Sequence, residues 1–396
     1  MDKLNIDDVD LENKRVFVRV DFNVPLTKEG AIREDTRIRG AVPTIQKIID
    51  RGGRVVLASH LGRPKGSVVP ALSLKPVAMR LSELLDRPVQ LAEDCVGPEV
   101  EAQVDALRPG DVLLLENVRF HPGETKNDPA LAAGFAKLAD VVVNDAFGTA
   151  HRAHASNVGV AELVSPAVAG LLMAAEIDYF NRAISNPKKP VVAILGGAKV
   201  STKIGVIQAL LAKVDKIIIG GAMANTFFKA RGYQVGGSLV EDEMLEIAAA
   251  AEERAKERGV EFLLPVDCVV AQSMDGEAQT NVVPVTNIPD GWMGLDVGPD
   301  SVAIFQKALQ GVATIVWNGP LGVFEQPAFA KGTLGLAASV AASGAVTVIG
   351  GGDTDAAIRL AGVADKVSHI STGGGAFLEL MEGKTLPGID VLDGSE

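Results

Sequence analysis

The chain has 396 residues, 47% of them apolar and 22% charged, the composition of an ordinary globular protein too long for one hydrophobic core, so two domains are expected. A net charge of −12 and an aromatic content of 4% argue against nucleic acid as a partner, because phosphate is repelled and stacking platforms are scarce. Cys95 and Cys268 form neither a disulfide framework nor a zinc motif and fit a reducing cytoplasm; the acidic start MDKLNIDDVDLENK is no secretory signal, and no apolar run reaches membrane-spanning length.

Residues 1–170 carry a net −3 and residues 171–396 a net −9. In the first half, four short apolar runs end in polar residues. KRVFVRV leads into Asp21, Phe22 and Asn23, and RVVLA into Ser59, His60, Leu61, Gly62 and Arg63. DVLLL leads into Glu116, Asn117, Val118 and Arg119, and DVVV into Asn144, Asp145 and then His151 and Arg152. Helical patterns lie between them, as at Thr44–Arg51 and Leu74–Leu85. Strands alternating with helices predict a parallel α/β sheet, and such sheets bind ligands outside the carboxyl ends of their strands. His60, Arg63, Arg119 and Arg152 fall at those ends. Arg37 follows the first strand in DTRIRGAVP, where Asp35 or Thr36 opens a helix. Several guanidinium groups at one sheet edge predict a basic pocket for a small, multiply anionic ligand. His151 and His154 have helical metal-ligand spacing, but no third His or Cys is near and Arg152 between them repels a cation, so zinc is not expected there.

Ser165–Ser185 reads as one helix with Pro166 in its first turn and an apolar stripe of Leu172, Ala175, Tyr179 and Ala183, stopped by Asn186-Pro187 and Lys189-Pro190. It is the expected domain connection, with hinge motion about its ends.

In the second half the strand ends are rich in glycine. VVAIL breaks at Gly196-Gly197 and is followed by Val200, Ile204, Ile207 and Leu211 at helical spacing. Lys199 and Lys203, four residues apart, are expected on one face of the first helical turns. Two cations at a helix N-terminus are unfavourable unless an anion sits at the glycine turn. KIIIG, with Gly220, precedes Gly221; ATIVWN precedes Gly319-Pro320; AVTVIG precedes Gly351, Gly352, Asp353 and Thr354. Glycine lets backbone approach a phosphate and offer it N–H donors. Asp353 reads either as a helix cap or, beside a phosphate site, as a Mg²⁺ ligand. Known fingerprints fail. Gly383-Lys384-Thr385 lacks the earlier Walker glycine, where Leu378 stands. The pairs Gly350/Gly352 and Gly373/Gly375 lack the third glycine of a dinucleotide turn, where Asp355 and Leu378 stand. The HRD and DFG motifs of protein kinases are absent.

A basic anion pocket in one half and a glycine-rich phosphate site in the other describe a two-lobed phosphotransferase. The sequence closely resembles the phosphoglycerate kinase family through RVDFNVP, SHLGRP, LLLENVRFHPGE, NDAFGTAHRAH, LGGAKVSTK, WNGPLGVFE, GGGDT and STGGGAFLELMEGKTLPG, in order from near residue 15 to near residue 390. The resemblance implies reversible transfer of the acyl phosphate of 1,3-bisphosphoglycerate to MgADP, giving 3-phosphoglycerate and ATP, in line and without a covalent intermediate, as in glycolysis and gluconeogenesis. It implies Mg²⁺ as cofactor, ADP/ATP as co-substrate and a cytoplasmic monomer. The fold it implies is α/β: two doubly wound parallel-sheet domains facing each other across a hinge cleft. These are a phosphoglycerate-binding domain of residues 1–170 with the segment from about 386 to 396, an interdomain helix and hinge over 171–189, and a nucleotide-binding domain over 190–385.

Carried over by motif, the glycerate substrate is held by Asp21, Phe22, Asn23, Arg37, His60, Leu61, Gly62, Arg63, Arg119 and Arg152. Arg37 and Lys199 are catalytic, acting on the transferring phosphoryl group. The nucleotide falls to Gly196, Ala198, Lys199, Lys203, Gly220 and Gly221, with Gly294, Asn318, Pro320 and Glu325 toward the nucleoside. Gly351, Gly352, Asp353 and Thr354 are at the phosphates, and Asp353 is on the metal. Two positions depart from the family's pattern. Thr202 stands where some members have Asp, and Phe377 where a small residue is common. The chemistry needs no general base, because the nucleophile of the reverse reaction is a carboxylate already ionised at neutral pH. The rival readings are a two-lobed nicotinamide-dependent dehydrogenase, which the missing dinucleotide turn opposes, and a non-enzymatic small-anion-binding protein, which the missing signal peptide opposes.

Overall fold

Alternation in RVFVR explains the central strand of the first sheet. In β1 (Arg15–Arg19), Val16 and Val18 enter one apolar cluster, while Phe17 turns to the other face, 5.4 Å from the Phe135 ring. The computed structural model describes residues 2–275 and 277–395. The chain divides into two units, Met1–Asp178 with Thr385–Glu396, and Tyr179–Lys384; the division falls inside the helix Leu171–Phe180.

The first unit also contains β2 (Arg54–Ala58), β3 (Val89–Leu91), β4 (Val112–Leu114), β5 (Val141–Asn144) and β6 (Ala167–Ala169). All pair in parallel, in the order β3-β4-β2-β1-β5-β6. The helix Thr36–Asp50 buries Ile38, Ala41, Ile45 and Ile48 in the same cluster as Val16, and Lys75–Leu85 adds Val77 and Leu81. The first of these begins at Thr36, where the sequence places a helix start, and runs on through Pro43 into the pattern at Thr44–Arg51. Proline removes one backbone bond, but Ile38 and Ala41 on its N-terminal side are buried, and that packing holds the turn in place. The chain's end returns to this unit: Asn144 Nδ2 donates to Gly388 O (2.8 Å), and Ile389 and Leu392 are buried.

The expected helix Ser165–Ser185 is corrected. Ala167–Ala169 forms the edge strand β6, the helix spans Leu171–Phe180, and Asn181–Ser185 widens into a π-turn. Gly170 separates strand from helix at a point where a Cβ would lie 2.1 Å from Asp145 Oδ1. That oxygen accepts from the N–H groups of Leu172 (2.9 Å) and Met173 (3.2 Å) in the helix's first turn. Burial nonetheless pushes the Asp145 carboxyl up to about 6, against the pull of hydrogen bonds from Thr44, Met173 and Leu172. A carboxyl whose folded pKa is raised contributes stability that is full below its unfolded pKa near 4 and is lost as pH rises through about 6. Asp145→Asn is therefore expected to flatten the dependence of unfolding free energy on pH between about 4 and 6, by roughly 3 kcal/mol at about 1.4 kcal/mol per pH unit. Urea denaturation of both proteins across that range checks it; parallel curves contradict it.

The second unit is built on six parallel strands in the order Glu261–Leu263, Lys216–Ile219, Val191–Leu195, Thr314–Asn318, Val346–Gly350, His369–Ile370. Val192, Ile194, Ile218, Ile315, Trp317 and Ile349 supply its core, closed by Phe305 and Leu336 from helices Pro299–Ala308 and Lys331–Ala342. A three-stranded antiparallel sheet of Asp267–Ala271, Asn281–Pro284 and Met293–Val297 is added to it. Among the described residues no helix is long and apolar enough to cross a membrane.

Candidate active site

At the carboxyl edge of the first sheet, three loops are tied to one another by hydrogen bonds. The loop after β1 meets the loop after β2 where Gly62 N donates to Asn23 Oδ1 (2.8 Å) and Phe22 N donates to Ser59 Oγ (2.9 Å). The loop after β4 meets the same segment through buried Asn117, whose Nδ2 donates to Leu61 O (2.7 Å), and through Arg119, whose Nη1 donates to Gly62 O (2.8 Å). Arg37, in the first turn of helix Thr36–Asp50, pairs with Asp21 at 2.6 Å. These bonds bring Asp21, Phe22, Asn23, Arg37, Leu61, Gly62 and Arg119 together at this edge.

Arg63, Arg119 and Arg152 line a pocket of about 410 Å³ together with Lys65, His121 and Lys126, and no Asp or Glu is among its lining residues. Burial, then the guanidinium groups of Arg19 and Arg152, push Arg119 below its ordinary value. Cations gathered around one cavity with no carboxylate in its lining make a site suited to an anion. Lys65 and Lys126 are additions to the predicted set; both sit in or beside the stretches SHLGRPK and HPGETK, where their charge was visible but their direction was not.

Beneath the pocket lies a buried polar network that sequence patterns did not reveal. Arg19, 1% exposed, donates through Nε to Ser156 Oγ (2.8 Å), and Ser156 Oγ donates to Glu124 Oε1 (2.6 Å). Arg19 Nη2 reaches His60 Nδ1 at 3.2 Å. Since Arg can only donate, His60 Nδ1 is the acceptor and the ring carries its proton on Nε2. Burial and then the charge of Arg19 push His60 well below the usual histidine range, so it stays neutral. His154 is held down to about 4 by burial and by Arg19, Arg119 and Arg152.

In the second unit, glycines bring the ends of three strands into backbone contact. Gly196 N donates to Asn318 O (3.0 Å), Gly197 N to Pro320 O (3.0 Å), Gly220 N to Leu195 O (2.9 Å) and Gly221 N to Leu321 O (3.0 Å). A Cβ at Gly196 would lie 2.1 Å from Pro320 O, so only glycine permits this approach. Around Gly197 and Gly352, in contrast, a Cβ would meet no atom within 4 Å, and there the backbone is open to a ligand.

The lysine positions need correction. The helix is Ile204–Leu210, so Lys199 and Ala198 stand in the preceding turn, exposed, and Lys203 occupies the N-cap. The turn is held off the helical path by Glu241, which accepts from Ser201 N (3.0 Å) and Ser201 Oγ (2.5 Å). The Thr202 hydroxyl donates to Lys199 O (2.9 Å) within the same turn. Lys203 is buried and hydrogen-bonds through Nζ to Asn318 Oδ1. Burial lowers Lys203 to about 8, with Asp353 opposing the shift. Asn318 Nδ2 is a buried donor without a partner among the described residues, 3.2 Å from where a Cβ of Gly351 would stand. A stranded donor beside a half-desolvated ammonium fits a phosphate oxygen.

Gly351 is the N-cap of helix Gly352–Leu360 at φ +92°, and no side chain caps that terminus. The cap reading of Asp353 is thereby corrected: its carboxylate stands exposed in the first turn, where its charge acts on Lys203. Thr354 instead stitches the loops, accepting from Gly319 N (2.7 Å) and donating to Gly350 O (2.8 Å). Phe377 is buried against Gly350, where a Cβ would lie 2.2 Å from the ring, so the large side chain fills space that glycine leaves. Gly294 lines a narrow pocket with Gly221, Asn225, Asp296 and Leu321. Glu325 is exposed, and no bond among the described residues joins it to this group.

The comparisons agree with one another. The family model described as phosphoglycerate kinase matches residues 6–384. A phosphoglycerate kinase of Thermosynechococcus vestitus is 59% identical over 387 residues, covering 97% of this chain and 96% of that protein. A chloroplastic phosphoglycerate kinase of Chlamydomonas reinhardtii is 58% identical over 97% of this chain and 84% of its own length. The structure of phosphoglycerate kinase from Coxiella burnetii superimposes with a TM-score of 0.91 at 46% identity, covering 98% of each chain. With its two six-stranded parallel sheets and these relatives, the chain belongs to the phosphoglycerate kinase family and is an enzyme with that family's kinase activity.

Proposed function

We propose that this chain transfers the acyl phosphate of 1,3-bisphosphoglycerate to MgADP, reversibly, giving 3-phosphoglycerate and ATP. The observation that carries the reading is the pocket lined by Arg63, Lys65, Arg119, Lys126 and Arg152 with no acidic residue among them. Its charge suits a ligand bearing phosphate and carboxylate together. Arg63, Arg119 and Arg152 anchor the phosphate remote from the reaction. His60, held neutral with Nε2–H outward from Arg19, donates to a ligand oxygen. Asp21, Phe22, Asn23, Leu61 and Gly62 shape the loop that carries them.

On the second unit, Lys203 and the stranded Asn318 Nδ2 take nucleotide phosphate oxygens, with backbone N–H groups at Gly351 and Gly352. Asn318 thus moves from the nucleoside end to the phosphates, because it lies beside Lys203. Gly294, Pro320 and Glu325 remain toward the nucleoside, joined by Gly221, which lines the same narrow pocket as Gly294. Arg37 and Lys199 stabilise charge on the phosphoryl group in flight. The acceptor carboxylate attacks without losing a proton, so what the residues contribute is alignment, neutralisation and exclusion of water from a loose anionic transition state.

Mg²⁺ fits the exposed carboxylate of Asp353 beside a phosphate site, the oxygen donors that this ion prefers. When bound it supplies charge neutralisation to the nucleotide phosphates. Asp353→Ala is expected to raise the Mg²⁺ concentration for half-maximal rate by about tenfold or more while circular dichroism stays unchanged; an unaltered Mg²⁺ dependence contradicts the assignment. We place the enzyme in the cytoplasm as a monomer, and light scattering on the eluting peak should give the mass of one chain. The reaction itself is tested by a coupled assay for ADP release from ATP. Release should require 3-phosphoglycerate, and release that ignores it would overturn the proposal.

A further inference from the structure

One group of side chains, sharing only His121 with the lining of the arginine pocket, has the chemistry of a metal site. Asp94 and Cys95 lie in the loop after β3, and His121 follows the turn Val118–Phe120 after β4. β3 and β4 are parallel neighbours, with Leu91 opposite Leu114, so both loops leave the sheet at its carboxyl edge and converge. One ligand atom from each residue, a carboxylate oxygen, a thiol sulfur and an imidazole nitrogen, lie within 4.8 Å of one another. We propose that Asp94, Cys95 and His121 form a binding site for a soft divalent cation of the zinc class, with water as the fourth ligand.

The donor set is specific. Thiolate and imidazole together favour zinc-class ions over Mg²⁺ or Ca²⁺, and a single carboxylate makes the occupied site neutral. The residues are already oriented. His121 Nε2 is 2.5 Å from Asp94 Oδ1, and Cys95 N donates to the same oxygen at 2.7 Å. The Cys95 sulfur donates to Glu116 O at 2.8 Å, at the buried floor of the group. Asp94 and His121 keep 57% and 27% of their side chains exposed, so a cation enters from solvent and meets the sulfur last. In a tetrahedral site with bonds of roughly 2.0–2.3 Å the ligand atoms stand about 3.3–3.8 Å apart. Closing from 4.8 Å takes about 1 Å of side-chain movement.

The charges acting on the sulfur are acidic. Burial raises the Cys95 thiol well above its ordinary value, and the charges acting on it, Asp94, Glu124 and Glu116, push the same way. Without metal the sulfur keeps its hydrogen, donated to Glu116 O. Binding replaces its proton, which leaves to solvent as the sulfur–metal bond forms, while His121 supplies a ring-nitrogen lone pair and Asp94 a carboxylate oxygen. No oxidation state changes.

The test is a Co²⁺ titration of the full chain, without glycerate or nucleotide so that its outcome is independent of the catalytic reading. One equivalent should bind with a thiolate-to-cobalt charge-transfer band and release of one proton from Cys95, and Zn²⁺ should displace it. The band should vanish in Cys95→Ser and persist in Cys268→Ser. Asp94→Asn and His121→Gln alter exposed or half-exposed positions and so keep the test valid if Cys95→Ser folds poorly. Each should weaken binding at least about tenfold, since even outer-shell losses at metal sites cost that much. Absence of the band in the unaltered protein, its survival in Cys95→Ser, or unchanged affinity in both other variants overturns the proposal.

Discussion

Lys199→Ala is expected to lower kcat by roughly 10²–10³, with the KM values for nucleotide and 3-phosphoglycerate moving only a few-fold. The physical case rests on where the residue stands. Lys199 is exposed in a turn whose shape is set elsewhere, by Gly197 at φ +111° and by Glu241 on Ser201. Removing the ammonium therefore removes charge without disturbing the loop. An interaction made only as charge spreads over the phosphoryl oxygens appears in kcat rather than in KM. Arg37→Ala, on the first unit, is expected to fall in the same class. Arg63→Ala and Arg152→Ala are expected to raise the KM for 3-phosphoglycerate more than they lower kcat, because those side chains hold the remote end. Steady-state kinetics on the four variants separates the classes, and a Lys199→Ala enzyme with near-normal kcat contradicts the role given to that turn.

The second large effect is on stability. Arg19→Met is expected to destabilise the fold by about 3–5 kcal/mol, the range for breaking a buried ionic network by removing one partner. Arg19 is the cation that offsets buried Glu124 through Ser156. Burial already raises the Glu124 carboxyl, and Arg19 is the largest influence holding it down. Without Arg19 the folded-state pKa climbs further. The resulting loss is absent below the unfolded pKa near 4.5, where Glu124 is protonated in both states, and grows as pH rises. Glu124→Gln added to Arg19→Met should recover part of the stability at neutral pH, because no unpaired charge is then left inside. Urea denaturation of the single and double variants at pH 5 and pH 8 measures this. A double variant no more stable than the single one contradicts it.

What the sequence made legible follows from how local each signal is. Strands such as Val191–Leu195 and Thr314–Asn318 announce themselves as apolar runs ended by glycine or asparagine, and the arginines after β2, β4 and β5 follow from the sheet rule alone. Ala167–Ala169 was hidden because three small apolar residues before a helix extend its pattern, and only pairing with β5 makes them a strand. Arg19 looked like one more charged residue at a strand end; its partner Ser156 is 137 positions away, and no local period reports such a distance. The three-stranded sheet around Val269 was missed for a related reason, since Asp267 and Asp296 interrupt its apolar pattern with buried acids. Asp296 is raised to about 7 by burial while it accepts from Gly332 N (2.7 Å) and Val297 N (2.9 Å), a role that composition cannot signal.

The central claim is that one unit binds phosphoglycerate through its arginine pocket and the other binds the nucleotide through its glycine loops. Calorimetric titration of Arg152→Ala and Asp353→Ala with each ligand separately tests it most directly. Loss of one charged contact costs about 1.5–3 kcal/mol, so Arg152→Ala should bind 3-phosphoglycerate at least about tenfold more weakly and MgADP as the unaltered protein does. Asp353→Ala should show the reverse. MgADP affinity lost in Arg152→Ala, with 3-phosphoglycerate affinity intact, would contradict the assignment of the two sites.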